Sequence, residues 1–168
     1  MTVLRSAALT AAIMCVPVAL VAGPLPVLAD KNGILVEDGY ARAAGAAAKT
    51  GAAFMAITNN NDAPDRLIDA RSDAAKRVEL HTHVMKDGVA KMVHLEDGIP
   101  LPPGETVLLQ RGGLHVMFMG LNGPFAPDTQ VAATLVFENA GGIDVVIPVD
   151  LERMPRHGNM HGSHSKKN

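Results

Sequence analysis

Four residues in the middle of the chain, His81, Met92, His115 and Met117, are of types that bind soft metal ions, in the spacing H-x10-M-x22-H-x-M. Two imidazoles and two thioethers form a nitrogen–sulfur donor set that suits Cu(I) better than zinc, magnesium or calcium. A thioether carries no charge and no exchangeable proton, so such a set takes up a cuprous ion without accumulating negative charge. One His or one Met would say little, since methionine is a common core filler. The information lies in the four together.

For these side chains to meet, the chain must fold back on itself. The apolar runs on either side of Lys86-Asp87-Gly88 read as two strands, and Asp-Gly is a strong hairpin signal. A two-residue Asp87-Gly88 loop pairs residue 83 with 92 and residue 81 with 94. Side chains alternate between faces along a strand, so His81, His83, Met92 and His94 then share one face. His81 and Met92 become diagonal neighbours about 7–8 Å apart at the backbone. A three-residue loop would reverse this parity. His115 and Met117 share a face whatever the turn does, and Met119 continues it. Taken singly, His83, His94, Met85 and Met119 read as packing residues, yet geometry does not exclude His83 or His94 as ligands.

Around these positions the sequence resembles the periplasmic PCu(A)C copper chaperones. The matching pieces are VELH at His81, KDGVAKM ending at Met92, and RGGLHVMFMGL around His115 and Met117. ARA at Ala41 to Ala43, GAAFMAITN and DRLIDARS extend the likeness over residues 34–148. The middle spacer is one residue longer than in the family, in the Pro-rich stretch between Glu96 and Gly104, where insertions are tolerated. The resemblance implies that His81, Met92, His115 and Met117 are the Cu(I) ligands. It also implies a cupredoxin-like antiparallel Greek-key β-sandwich and a carrier rather than an enzyme. The expected acceptor is the dinuclear CuA centre of cytochrome c oxidase, with a Sco-type thiol copper protein as a further partner and the chain itself a monomer.

Composition narrows the alternatives. The chain has 168 residues, a length that suits one domain plus extensions. Aromatic residues make up 3% and tryptophan is absent, so a base-stacking platform for nucleic acid is not expected. The formal net charge of −2, with no basic stripe, removes the electrostatic basis for following a phosphate backbone or an anionic membrane. No G-x-S-x-G or H-E-x-x-H motif is present, and no nucleophile–base pair is recognisable.

Residues 1–29 read as a secretory signal. Arg5 supplies a positive charge, an apolar run follows, and Val27-Leu28-Ala29 is a small-residue cleavage site before Asp30. Pro17, Gly23, Pro24 and Pro26 interrupt the run, which is short of the roughly 20 apolar residues a membrane anchor needs. Ala12-Ile13-Met14 before Cys15 lacks the pattern of a lipidation site. Cys15 is the only cysteine, so the cleaved chain has no thiolate. That excludes a blue-copper electron carrier, whose site needs a cysteine.

The domain is expected over residues 30–153 as seven to nine short strands with turns about every ten residues, an all-β sandwich. Strands are expected at 33–37 and 40–43 with a kink at Asp38-Gly39, then at 51–58, 65–71, 106–110, 130–138 and 143–151. The last segment, 154–168, reads as a flexible polar tail. Its His157, Met160, His161 and His164 offer a second, imidazole-rich site suited to Cu(II). Two other functions remain open: a copper-sequestering or resistance protein of the same fold, and a metal-free sandwich for adhesion or assembly. N-terminal sequencing of the exported form should give a chain that begins at Asp30 and lacks cysteine. Recovery of a form that retains Cys15 would overturn the assignment of the leader.

Overall fold

The computed structural model describes residues 27–86 and 88–153. They form eleven strands and, among the described residues, no helix. In order these are β1 (Val27–Lys31), β2 (Ile34–Ala43), β3 (Thr50–Asn59), β4 (Asp65–Arg71), β5 (Ala75–Lys86), β6 (Val89–His94), β7 (Ile99–Leu101), β8 (Thr106–Leu109), β9 (His115–Leu121), β10 (Gln130–Phe137) and β11 (Gly141–Pro148). The all-β, cupredoxin-like sandwich expected from the sequence is the observed architecture.

Two antiparallel sheets face each other. One runs β1-β2-β3-β9-β5-β6 with β8 also on β3; the other runs β11-β10-β4-β7. Alternation explains the layering. In β10, Val131, Ala133, Leu135 and Phe137 are buried, and in β11 Ile143, Val145 and Ile147 are. The larger sheet answers with Ile34, Val36, Ile57, Leu80, Val116 and Phe118 in the same core. The other face of that sheet is therefore free to carry chemistry.

Two local features position that outer face. First, Lys86 pairs with Val89, which leaves residues 87 and 88 as the loop, and Gly88 takes a φ of +76°. The expected register follows, with His83 opposite Met92 and His81 opposite His94. Second, β3 shares one side between two strands: Met55 to Thr58 pair with β8, and Thr50 to Ala53 pair with β9. The chain between them leaves the sheet through a turn closed by a Gly113 N–H to Gln110 C=O bond of 3.0 Å and re-enters at His115. Gly112, at a φ of +83°, permits that turn.

β2 shows its expected kink as a register shift between Glu37 and Tyr40, with Asp38 at a φ of +55°. The strand count exceeds expectation because of β1 and β7. Three residues are too few for a periodic pattern, and Pro100 reads as a breaker. It is tolerated because β7 is an edge strand, while Ile99 and Leu101 are buried on either side of it. β1 straddles the expected cleavage point. Its Val27, Leu28 and Ala29 belong to the leader in the sequence reading, yet they lie alongside β2, and Leu28 covers Gly39.

Two glycines with similar dihedrals separate strain from crowding. A Cβ on Gly88 meets nothing within 4 Å, whereas one on Gly98 (φ +73°) would lie 2.3 Å from the Leu67 carbonyl oxygen. Gly88→Ala should cost about 1 kcal/mol, from the dihedral alone. Gly98→Ala should cost about 2 kcal/mol more, because backbone must move. Urea unfolding measures both, and equal losses would contradict this packing.

Candidate metal centre

The imidazoles come together because their strands are neighbours. His81 of β5 pairs with His115 of β9 on one side and with His94 of β6 on the other. Their ring centroids are 5.9 Å (His81–His115) and 5.6 Å (His81–His94) apart, and the His83 ring lies 5.2 Å from that of His115. Across the sheet, Phe54 of β3 approaches His115 with centroids 6.1 Å apart, and Tyr40 of β2 packs on Phe54 at 5.1 Å. His115 is thus buried although it points away from the main core.

Each of two histidines is anchored through one nitrogen. His115 Nδ1 lies 2.9 Å from the Gly113 carbonyl oxygen, which can only accept, so Nδ1 carries the proton and Nε2 keeps its lone pair. Burial pushes the His115 pKa down; the Gly113 bond opposes this, and His83 and His81 add to the lowering. The ring is therefore held neutral, as a metal ligand must be. His81 Nε2 lies 2.8 Å from Glu79 Oε2, which leaves Nδ1 as the other donor atom, buried and without a partner. Glu79 also receives Arg77 at 2.9 Å. Its carboxyl is held below the usual range, first by the His81 hydrogen bond and further by Arg77.

This arrangement passes a test for metal ligation. Imidazoles that bind metals usually donate their second nitrogen to a carboxylate or a carbonyl, and His81 and His115 do so. His83 Nδ1 is also buried without a partner. An unpaired buried polar nitrogen costs about 1–3 kcal/mol, so two side by side mark a place shaped for an added group. Among the described residues no three His, Cys, Asp or Glu side chains are grouped to hold an ion. The face instead offers imidazole together with thioether.

An open cleft runs along this face, lined by His83, Met92, His115 and Met117, with Phe54, Arg42 and Arg111 on its walls. Three of the four residues of the spaced motif share it. The fourth, His81, stands beside His115 against Glu79, and His83 takes its place in the lining. Met92 is 45% exposed, so its side chain is open to solvent. His94 lies at the exposed hairpin edge, and Met119 receives Arg77 Nη2 at 3.4 Å from its sulfur. His157, Met160, His161 and His164 lie outside the described residues, as do residues 1–26.

Glu79, Phe54, Arg42 and Arg111 are the participants that the spacing motif does not mark. Parity places Glu79, two residues before His81, on the same face as His81. Arg111 sits in the turn before His115. Phe54 and Arg42 reach the site only through the pairing of β2, β3 and β9, and no local signal announces that.

The family model described as "Putative lipoprotein LpqE-like" matches residues 34–149. The "Putative lipoprotein Lxx21020" of Leifsonia xyli subsp. xyli is 32% identical over 118 residues, 70% of each chain. Among solved structures, the copper-bound PCuAC domain from PmoF2 superposes with a TM-score of 0.62 at 27% identity, covering 74% of this chain and 97% of that one. The Cu(I) form of DR1885 from Deinococcus radiodurans superposes with a TM-score of 0.56 at 30% identity, covering 68% and 76%. The chain therefore belongs to the LpqE-like family, with the cupredoxin-like β-sandwich of the PCuAC domains.

Proposed function

We propose that this protein is an exported copper chaperone that holds Cu(I) through His81, Met92, His115 and Met117 and passes it to an acceptor protein. The observation that carries this reading is the pair of imidazoles each anchored by one nitrogen, next to two thioethers at an open cleft. The copper-bound state of the PmoF2 domain and the Cu(I) state of DR1885 support it. His81 would ligate through Nδ1 with Glu79 retained on Nε2, and His115 through Nε2 with Gly113 retained on Nδ1. His83 lacks any such anchor in the hydrogen bonds present, so it is better suited to an auxiliary role. Retention and release are then divided between residues. Buried His115 holds the ion, while exposed Met92 is the ligand an incoming group reaches first.

The acceptor that the family resemblance favours is the CuA centre of cytochrome c oxidase. The lipoprotein names of the relatives and the leader-like first 29 residues support export to the periplasm or envelope. His157, Met160, His161 and His164 of the tail form the proposed Cu(II) site. Copper storage remains the second reading because a cleft of this kind can also sequester. Cu(I) transfer to an apo acceptor separates the two.

Met92→Leu and Met117→Leu should each weaken Cu(I) binding strongly in competition with a chromophoric cuprous chelator. Stability should change by less than about 1.5 kcal/mol, since Leu nearly conserves the volume of Met. His83→Asn and His94→Asn should weaken binding far less than His81→Asn or His115→Asn. Glu79→Gln, which removes the carboxylate behind His81, should cost about tenfold in affinity. Full affinity in Met92→Leu would show that the ligand set is wrong. Deletion of residues 157–168 should leave the Cu(I) stoichiometry intact and remove a Cu(II) equivalent. Unchanged Cu(II) uptake would reduce the tail to a solubilising extension.

A further inference from the structure

The cleft that contains Met92, His115 and Met117 is lined by two guanidinium groups, Arg42 and Arg111, and by no carboxylate. Arg66, Arg71, Arg77 and Arg153 each have a carboxylate partner; among the described residues Arg42 and Arg111 have none. Arg42 Nη1 donates to the Arg153 carbonyl oxygen at 3.4 Å, a neutral acceptor. Arg111 is exposed on the turn between β8 and β9, beside Gly112, which has no side chain to screen it. Tyr40 shows how closely these cations gather: burial raises its phenol pKa, Arg153, Arg111 and Arg42 pull it back, and the single carboxylate acting there, Asp150, adds to the rise.

Two cations without an ion-pair partner, outnumbering the one carboxylate nearby, are the wrong sign for a surface that collects free cuprous ions. They are the right sign for an anionic partner that brings its own copper ligands. The rest of the cleft's surroundings fits a protein. Met85, 71% exposed, stands two residues from His83 on the same face of the β5–β6 hairpin, with Met92 nearby and the exposed Ala90 opposite it. β6 is a sheet edge. Apolar thioether surface lies on one side of the cleft and fixed positive charge on its wall.

We propose that Arg42, Arg111 and the Met85–Met92 face of the hairpin form the docking surface for the copper acceptor, a protein that presents thiolates within an acidic surround. This rests on the chaperone reading above. In the exchange two sulfur–copper bonds to acceptor thiolates form as the bonds to Met92, Met117, His81 and His115 break. Copper stays Cu(I) throughout, and any thiol protons pass to solvent. The guanidiniums offset the negative charge that a copper dithiolate accumulates. Opposite charges across such an interface raise encounter rates by about 10–1,000-fold at low ionic strength.

The test uses the full chain loaded with Cu(I) and two synthetic peptides. Both contain the same Cys-x-x-x-Cys pair, flanked by glutamates in one and by lysines in the other. Stopped-flow transfer to the glutamate peptide should be at least about tenfold faster at low salt, and the difference should collapse at high salt as charges are screened. Arg42→Gln/Arg111→Gln should lose the preference. Cu(I) affinity is read on the same samples, so loss of binding is told apart from loss of steering. A wild-type chain that fails to bind Cu(I) would overturn the chaperone reading itself. One that binds Cu(I) but transfers equally to both peptides at low salt would overturn the docking surface alone, whether or not the double variant folds. Salt-sensitive binding to phosphatidylglycerol vesicles, with no preference between peptides, would assign the face to a membrane and likewise overturn the proposal.

Discussion

Two hydrogen bonds govern the site: His115 Nδ1 to the Gly113 carbonyl, and His81 Nε2 to the Glu79 carboxylate. Each fixes a ring and reserves its other nitrogen. Without them the imidazoles could rotate, and the cost of ordering them would fall on metal binding. Each also depends on something larger. The Gly113 carbonyl is placed by the turn that separates β8 from β9, and that turn exists because both strands share one side of β3. Glu79 is placed by parity within β5 and by Arg77, which holds its second oxygen.

The same constraint explains a domain that is well packed yet leaves polar nitrogen atoms unsatisfied. The buried Nδ1 atoms of His81 and His83 are a local cost, carried by a core that runs from Ile34 to Val149. A ligand that binds the native state repays that cost, since stability then rises with ligand concentration relative to its dissociation constant. Burial of His115 against Phe54 contributes in another way. A neutral imidazole is ready to bind a soft cation, whereas a solvated one is more often protonated. On the proposed reading, a sheet face with one buried donor and one exposed thioether would combine retention with access.

Much of this was legible from residues alone. Asp87-Gly88 selects a two-residue loop, and that choice sets which side chains of β5 and β6 share a face; the observed pairing of His83 with Met92 follows directly. Strands with clear alternation, such as β4, β10 and β11, lie close to where the pattern puts them. β7 is invisible because three residues carry no period and Pro100 reads as a breaker. β1 is obscured because Val27, Leu28 and Ala29 continue an apolar leader. Within the site, spacing identifies sulfur and nitrogen donors but cannot rank His81 against His83. What sets the two rings apart is Glu79, which anchors His81 Nε2, and that contact requires a register and a rotamer. Arg42 and Phe54 are contributed by strands far away in the chain, and only long-range pairing brings them to the cleft.

The central claim is that imidazole and thioether bind one cuprous ion together on this face. X-ray absorption at the copper edge of the Cu(I)-loaded protein tests it most directly. The account predicts a mixed shell of nitrogen and sulfur neighbours, with the sulfur scattering reduced when Met92 and Met117 are both replaced by leucine. A shell of nitrogen and oxygen alone, or sulfur scattering that survives the double replacement, would contradict it.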